Sequence, residues 1–356
     1  MQWLIVLPTL LFLISIINFF TIKQPRIHRE IKDFVSVIVP LRNEAENIEP
    51  LISVLAAQVS LTHVEFILLD DNSQDQTWNL LQKNTAELAN FHLIKAAPLP
   101  AGWIGKSWGL KQLLDAAHGE IIVSLDADVR IKPDAISRSI ALLEDLDLDF
   151  ISPYPRQITK SLAERLVQPL LQWSWLSTLI LPIAQRSSFT SMAVANGQFF
   201  IVRKSALVQA GGYEAVKSAV LDDVFLARAL LKSKAHGVVV NGADIAQCRM
   251  YSSWGEIKFG YGKSLRHGFG SPVGLLAALI FLLITGIAPI VIALTGSIWG
   301  WIGYGLITCT RLLSAIIARA RLFDALLHPL STALLIYLIL YSYIKRGQIQ
   351  WKGRTI

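Results

Sequence analysis

EIIVSLDAD, residues 120–128, decides the fold. A short apolar run closed by carboxylates is the pattern of a strand buried on both faces. The same pattern recurs upstream. VSVIV (35–39) ends at Pro40 and is followed by Arg42, Asn43 and Glu44. VEFILL (64–69) ends in Asp70 and Asp71, and FHLIK (91–95) supplies a further strand. Between these runs lie helical stretches at 44–58, 73–89 and 106–117. Strands alternating with helices predict an α/β fold with a doubly wound, mostly parallel sheet. Such sheets bind ligands outside the carboxyl ends of their strands, where this chain repeatedly places polar residues.

Four clusters carry candidate chemistry. Asp126-Ala127-Asp128 offers two hard oxygen donors suited to Mg2+ or Mn2+, which would bridge them to a diphosphate; a solvated turn is the plainer reading. Asp70-Asp71-Asn72-Ser73 serves either as a turn with a helix cap or as an acceptor for a base, and the two roles are compatible. GWIGKSW (102–108) opens a helix whose N-terminus, with Lys106, favours a phosphate. It lacks the four residues between glycines of a Walker A loop. Asp222-Asp223 is either a helix start or a pair in which one carboxylate takes a proton from an acceptor hydroxyl. A neighbouring carboxylate would raise that group's pKa in a dry site. None of the seven histidines falls into a metal-ligand spacing.

The chain of 356 residues is 53% hydrophobic and only 17% charged, against about 25% charged in a soluble domain. The apolar surplus sits at the two ends, around roughly 240 residues of ordinary composition, long enough for one α/β core. Its net charge of +7 lies mostly beside the apolar segments, so anionic lipid headgroups are the expected partner and nucleic acid is not. Cys248 and Cys309 exclude a disulfide framework, which fits a domain facing the cytosol.

Residues 1–22 contain no charged side chain and suffice for one crossing. They lack a basic start and a small-x-small cleavage site, so an uncleaved anchor is expected rather than a signal peptide. Lys23, Arg26, Arg29 and Lys32 follow in a basic linker, 23–34, placing the next domain (35–270) in the cytoplasm. Further apolar runs lie at 271–295, 297–318 and 328–344, before a basic tail, 345–356. Three full crossings would leave that tail outside, against the charge rule. The run holding Arg311 is therefore suspected of being interfacial or re-entrant. A stretch inside the domain, 162–185, is expected to lie in the interface with Trp173 and Trp175 at headgroup level; a buried core helix is the alternative.

These residues together resemble the family-2 inverting glycosyltransferases of GT-A fold. The resemblance rests on VSVIVPLRNEAENI (35–48), LLDDNSQD (68–75), GWIGKSWG (102–109), SLDADV (124–129), ANGQFFIVRKSALVQAGGYEAV (195–216) and LDDVFLARAL (221–230), in the family's order. PLPAGWIGKSW (98–108) and WKGR (351–354) look most like the membrane-bound branch acting on hopanoid, carotenoid and ceramide-type lipids. The resemblance implies Pro40, Arg42, Glu44 and Asp70 or Asp71 around the nucleoside, Lys106 at the donor, and Asp126 with Asp128 at the metal and diphosphate. It implies Asn196 and Gly197 beside the acceptor and Asp223 as base, with Asp222 standing where the family usually has Glu. Processive members carry Q-x-x-R-W; Gln247, Arg249 and Trp254 are present here at another spacing, which favours addition of a single sugar. Arg249 and Trp254 remain possible contacts on the leaving-group and acceptor side. The expectation is an integral membrane enzyme, of the inner membrane, that uses a nucleotide sugar, UDP-linked by resemblance, and a lipid acceptor. A polysaccharide synthase, a non-catalytic nucleotide-sugar-binding scaffold and a polyprenyl-phosphate sugar synthase are the rivals.

Overall fold

The computed structural model describes residues 2–269, 271–345, 350–351 and 354–355. Two compact units emerge: one of residues 23–156 and 183–248, the other of 1–22, 157–182 and 249–356.

The first unit is built on a seven-stranded sheet. Its strands are β1 (Ile31–Leu41), β2 (Leu61–Asp70), β3 (Phe91–Lys95), β4 (Ile121–Leu125), β6 (Phe150–Tyr154), β7 (Phe199–Arg203) and β8 (Gly237–Asn241), in the order β3-β2-β1-β4-β7-β6-β8. β5 (Val129–Ile131) and β9 (Ala246–Cys248) pair antiparallel outside it. β1 runs parallel to both β2 and β4, β2 to β3, and β6 to β8. Only β7 runs antiparallel to its neighbours, so the mostly parallel α/β sheet read from the sequence is present. Val35, Val37, Ile38 and Val39 are wholly buried, as a strand covered on both faces requires.

Helices Ala45–Ala56, Thr77–Thr85 and Gly105–Ala116 fill the connections. The first buries Ile48, Leu51, Ile52 and Leu55, the i, i+3, i+4, i+7 stripe of a helix laid on a core. Gly119 sits where a Cβ would come 2.6 Å from the Ser36 backbone nitrogen, so the chain entering β4 can approach β1 only as glycine. This topology brings Asp70, Asp71 and Asp126 to the same ends of the parallel strands.

The second unit is helical. Gln2–Thr21, Pro272–Leu294, Ile298–Ala318 and Leu322–Ile344 are each long and apolar enough to cross a membrane. The run suspected of being re-entrant is thus one unbroken helix of 21 residues. Residues 162–185 do not form a single interfacial helix. They divide into Leu162–Val167, Pro169–Thr178 and Leu181–Ala184. Trp173 and Trp175 are 1% and 5% exposed, so the headgroup placement is corrected to burial. Trp173 donates through Nε1 to Thr310 Oγ1 at 2.7 Å and packs edge-on against His328. Asn18 anchors the same segment, donating to the carbonyls of Leu176 and Leu179 and accepting from Leu181 N–H.

Helix Trp254–Gly268 carries Lys258, Lys263, Arg266 and His267 and packs along helix His328–Ile344. Trp254 stacks on Tyr337, and Ser342 Oγ donates to the Gly262 carbonyl at 2.6 Å. The expected 35–270 domain therefore yields 157–182 and 249–268 to the helical unit. Most of the basic tail, including Arg346 and, within the WKGR run, Lys352 and Gly353, lies outside the described residues.

Candidate active site

Four chain segments of the α/β unit converge on Lys106. Gly102, at φ +81°, turns the loop in a conformation open to glycine, and Ile104 N–H is fixed on the Lys217 carbonyl at 2.7 Å. Helix Gly105–Ala116 then begins with Lys106 as its second residue. The Lys106 ammonium lies 2.8 Å from Asp126 Oδ1 and 4.0 Å from Asp222 Oδ2. Burial alone would lower the lysine pKa, but Asp126 and Asp222 outweigh it and the ammonium holds its proton above the usual range. Its side chain and that of Asp126 stay 22% and 27% exposed, so the cluster forms an open floor, not a sealed ion pair.

Asp126 ends β4, and its N–H donates to the Gln198 carbonyl at 3.0 Å. Burial pushes its carboxyl up to about 6 against the opposing pull of Lys106. Asp128, two residues on, accepts from the Cys248 thiol at 3.1 Å, and Cys248 in turn accepts from Gln198 Nε2 at 3.0 Å. Burial raises the Asp128 pKa, the Cys248 hydrogen bond lowers it, and Glu44 raises it further. Burial and Asp128 also push the Cys248 thiol well up, which keeps it protonated and donating.

Among the described residues, no three His, Cys, Asp or Glu side chains form a ready metal cage. Two carboxylates in one turn nonetheless suit Mg2+ or Mn2+, ions that take one or two protein carboxylates and complete their shell with phosphate oxygens and water.

Asp222 and Asp223 open helix Asp222–Lys232, where its dipole favours negative charge. Asp223 Oδ2 accepts from Gly197 N–H at 2.9 Å and Oδ1 from Val224 N–H at 2.8 Å. Its pKa is raised to about 6, by burial first and by Asp222 second. The pair starts the helix, and two backbone N–H groups fix the Asp223 carboxylate. Asn196 is buried, its N–H on Ser152 Oγ at 2.8 Å and its side chain joined to Gln198. A Cβ on Gly197 would lie 3.3 Å from Asp223 Cβ and 3.4 Å from Lys106 Nζ.

Beyond the end of β1, Arg42 donates to the Asp71 carbonyl at 2.6 Å and lies 3.9 Å from its carboxylate. Asp70 accepts from Ser73 N–H at 3.3 Å, which closes the turn of the plainer reading, but it caps no helix, since the next one begins at Thr77. Glu44 accepts from Asn47, and Pro40 ends the buried stretch of β1. Arg249 and Trp254 belong to the helical unit, where Arg249 pairs with the wholly buried Glu164 at 3.2 Å and Trp254 meets Tyr337.

Sequence reasoning missed several residues. Cys248 and Gln198 hold Asp128 and Asp126 from distant points of the chain, and neither carries a motif. Arg130 donates to Asn47 Oδ1 at 2.6 Å and to the Ala127 carbonyl at 2.7 Å, bracing the D-x-D turn. Asp75 accepts from Thr77 and from Ala45 N–H. Its place in LLDDNSQD was the one available signal.

A profile described as Glycosyl transferase family 2 matches residues 36–210, the segment that supplies Arg42, Lys106, Asp126, Asp128 and Gly197. The chain carries a glycosyl transferase family 2 domain. Over 263 residues it is 24% identical to the 4,4'-diaponeurosporenoate glycosyltransferase of Staphylococcus haemolyticus, covering 71% of this chain and 66% of that protein. Over 124 residues it is 30% identical to the undecaprenyl-phosphate 4-deoxy-4-formamido-L-arabinose transferase of Shewanella sediminis, covering 33% and 35% respectively. The chain thus spans from about a third to two thirds of these relatives' lengths. The mannosyltransferase PcManGT of Pyrobaculum calidifontis, solved with GDP-Man and Mn2+, superposes with a TM-score of 0.59 at 16% identity, over 95% of this chain and 94% of that one. That superposition shows the GT-A fold.

Proposed function

We propose that this chain is a membrane-bound inverting glycosyltransferase that moves one sugar from a nucleotide sugar to the hydroxyl of a lipid or isoprenoid. The observation that carries the reading is the placement of Lys106 between Asp126 and Asp222, with Asp223 fixed beside it on Gly197.

Pro40, Arg42, Glu44, Asp70 and Asp71 would receive the nucleoside. Asp126 and Asp128 would hold a divalent ion, which when bound neutralises the donor's diphosphate. Lys106 binds the same diphosphate and, already charged, stabilises the negative charge that develops as it departs. Asp223 takes the proton of the acceptor hydroxyl as the oxygen attacks the anomeric carbon. Two backbone N–H groups keep its carboxylate aimed, and a pKa near 6 leaves it ionised yet basic at neutral pH. Asn196 and Gly197 would border the acceptor, and the apolar helices would let a water-insoluble acceptor enter from the bilayer. Relatives named for lipid substrates support the acceptor class. The basic residues flanking the apolar segments support a cytoplasmic catalytic domain at the inner membrane.

The test is transfer from labelled UDP-glucose with Mn2+ into a total lipid extract, comparing the parent with Asp223→Asn. One labelled lipid that vanishes in the variant supports the proposal. No transfer from any UDP- or GDP-sugar by folded protein overturns it in favour of a binding scaffold, and a product ladder overturns it in favour of a polymer synthase. A second reading follows from the undecaprenyl-phosphate relative. A phosphate acceptor is already ionised and requires no base, so its acid-labile product would survive Asp223→Asn.

A further inference from the structure

β9 pairs antiparallel with β5 and sets Cys248 opposite Val129, the residue next to Asp128 in the D-x-D turn. That register brings a thiol from far along the chain to the carboxylate, with Cys248 Sγ 3.1 Å from Asp128 Oδ2. An ionised carboxylate only accepts, so the thiol proton points at Asp128. The sulfur is left to accept, and Gln198 Nε2 donates to it at 3.0 Å. Gln198 Oε1 accepts in turn from Asn196 Nδ2 at 3.2 Å.

Both ends of this chain fix its direction. The Gln198 backbone N–H donates to Asn196 Oδ1 at 2.8 Å, and a backbone N–H can do nothing else, so the Asn196 amide has one orientation. Donation therefore runs from Asn196 to Gln198 to Cys248 to Asp128 without a reversal. The three donors are buried, at 6%, 4% and 1% exposure, where an unmet polar group is costly and a satisfied chain resists rearrangement. Its first member is tied to the other wall of the site, since Gly197, next to Asn196, donates to Asp223 at 2.9 Å. Every one of these residues belongs to the α/β unit.

We propose that Asn196, Gln198 and Cys248 are positioning residues that set the Asp128 carboxylate for a divalent cation. The inference rests on the reading of Asp126 and Asp128 as the carboxylates of that ion. Hydrogen-bond partners of metal ligands orient them, and losing one commonly costs about ten- to hundredfold in metal affinity. A neutral thiol suits the place, because it donates one hydrogen bond and adds no positive charge to repel the ion. Cys248 acts through Asp128 and not on the metal: among the described residues, no three His, Cys, Asp or Glu side chains form a cage.

The experiment is a titration of the purified full chain in detergent micelles with Mn2+ alone, reading free Mn2+ by electron paramagnetic resonance. Cys248→Ala should weaken Mn2+ binding by about tenfold. Cys248→Ser, which restores a hydrogen-bond donor, should recover most of that loss. Gln198→Leu, which deprives the thiol of its own donor, should fall between Cys248→Ala and the parent. In transfer assays Cys248→Ala should need about tenfold more Mn2+ for half-maximal rate yet approach the parent kcat, a split that a general packing defect does not produce. Parent-like Mn2+ affinity in Cys248→Ala, with Asp128→Asn weakened, would overturn the positioning role and leave the metal reading standing. Equal weakening in Cys248→Ala and Cys248→Ser would overturn it in favour of sulfur as a ligand or as packing. A parent that binds no Mn2+, alone or with UDP or GDP, would overturn the metal reading and this inference with it.

Discussion

Gly197 is tightly bordered by Asp223 and Lys106. A methyl group there forces one of them to move by a few tenths of an ångström. Gly197→Ala is expected to lower kcat by about tenfold or more while leaving the unfolding temperature nearly unchanged, since misplacing reacting groups is costly to rate. The pH profile belongs to this scale as well. Asp223 acts as a base only when ionised, and burial with Asp222 raises its pKa to about 6. Initial rates should therefore fall as pH drops through 6 and level off above it. In Asp223→Asn, any residual rate should lose that limb. The candidate residues of this site were largely legible, because Asp126 and Asp128 follow directly on β4 and Lys106 opens a helix. What holds them was not. Cys248 reaches Asp128 across 120 positions of sequence, and a thiol beside a carboxylate leaves no local pattern.

At the scale of elements, helix Leu162–Val167 depends on a capping box. Ser161 Oγ accepts from Glu164 N–H, and the Glu164 carboxylate accepts from the N–H groups of Ser161 and Lys160 and from Arg249. Burial raises its pKa, but the Arg249 pair and the backbone donors prevail and hold it down at about 2. Glu164→Gln should destabilise the folded chain by about 1–3 kcal/mol at neutral pH, the cost of unsatisfying buried donors. The sign of its pH dependence follows. A carboxyl with a depressed folded pKa stabilises above its unfolded value, about 4.3. The difference between parent and variant should therefore shrink as pH falls from about 4.5 towards 2 in calorimetric or fluorescence melts. Four of the seven strands of the sheet, β1 to β4, were legible as short apolar runs, two of them closed by carboxylates, whereas β6, β7 and β8 were not read as strands. The stretch 162–185 was not, because tryptophans suited to a headgroup zone and tryptophans suited to a helix interior have the same apolar surroundings in sequence. Only their partners, Thr310 and His328 for Trp173, separate the two.

At the scale of the whole molecule, the sequence showed apolar ends around an α/β middle, and that division holds. It did not show that 157–182 and 249–268 leave the middle for the helical unit, because both mix charges with apolar residues as a domain surface does. The Ser342–Gly262 hydrogen bond, 2.6 Å long, constrains the path of the chain through a bilayer. Touching atoms share a depth, and the apolar layer of a membrane is about 30 Å thick. Lys263 and Lys345 are then expected to face the same compartment, so an impermeant maleimide should reach Lys263→Cys and Lys345→Cys alike. Thr295→Cys, between two apolar helices, should report the opposite face. The expectation is an even number of crossings between Gly262 and Ser342, fewer than the three apolar helices of that stretch that are long enough to cross.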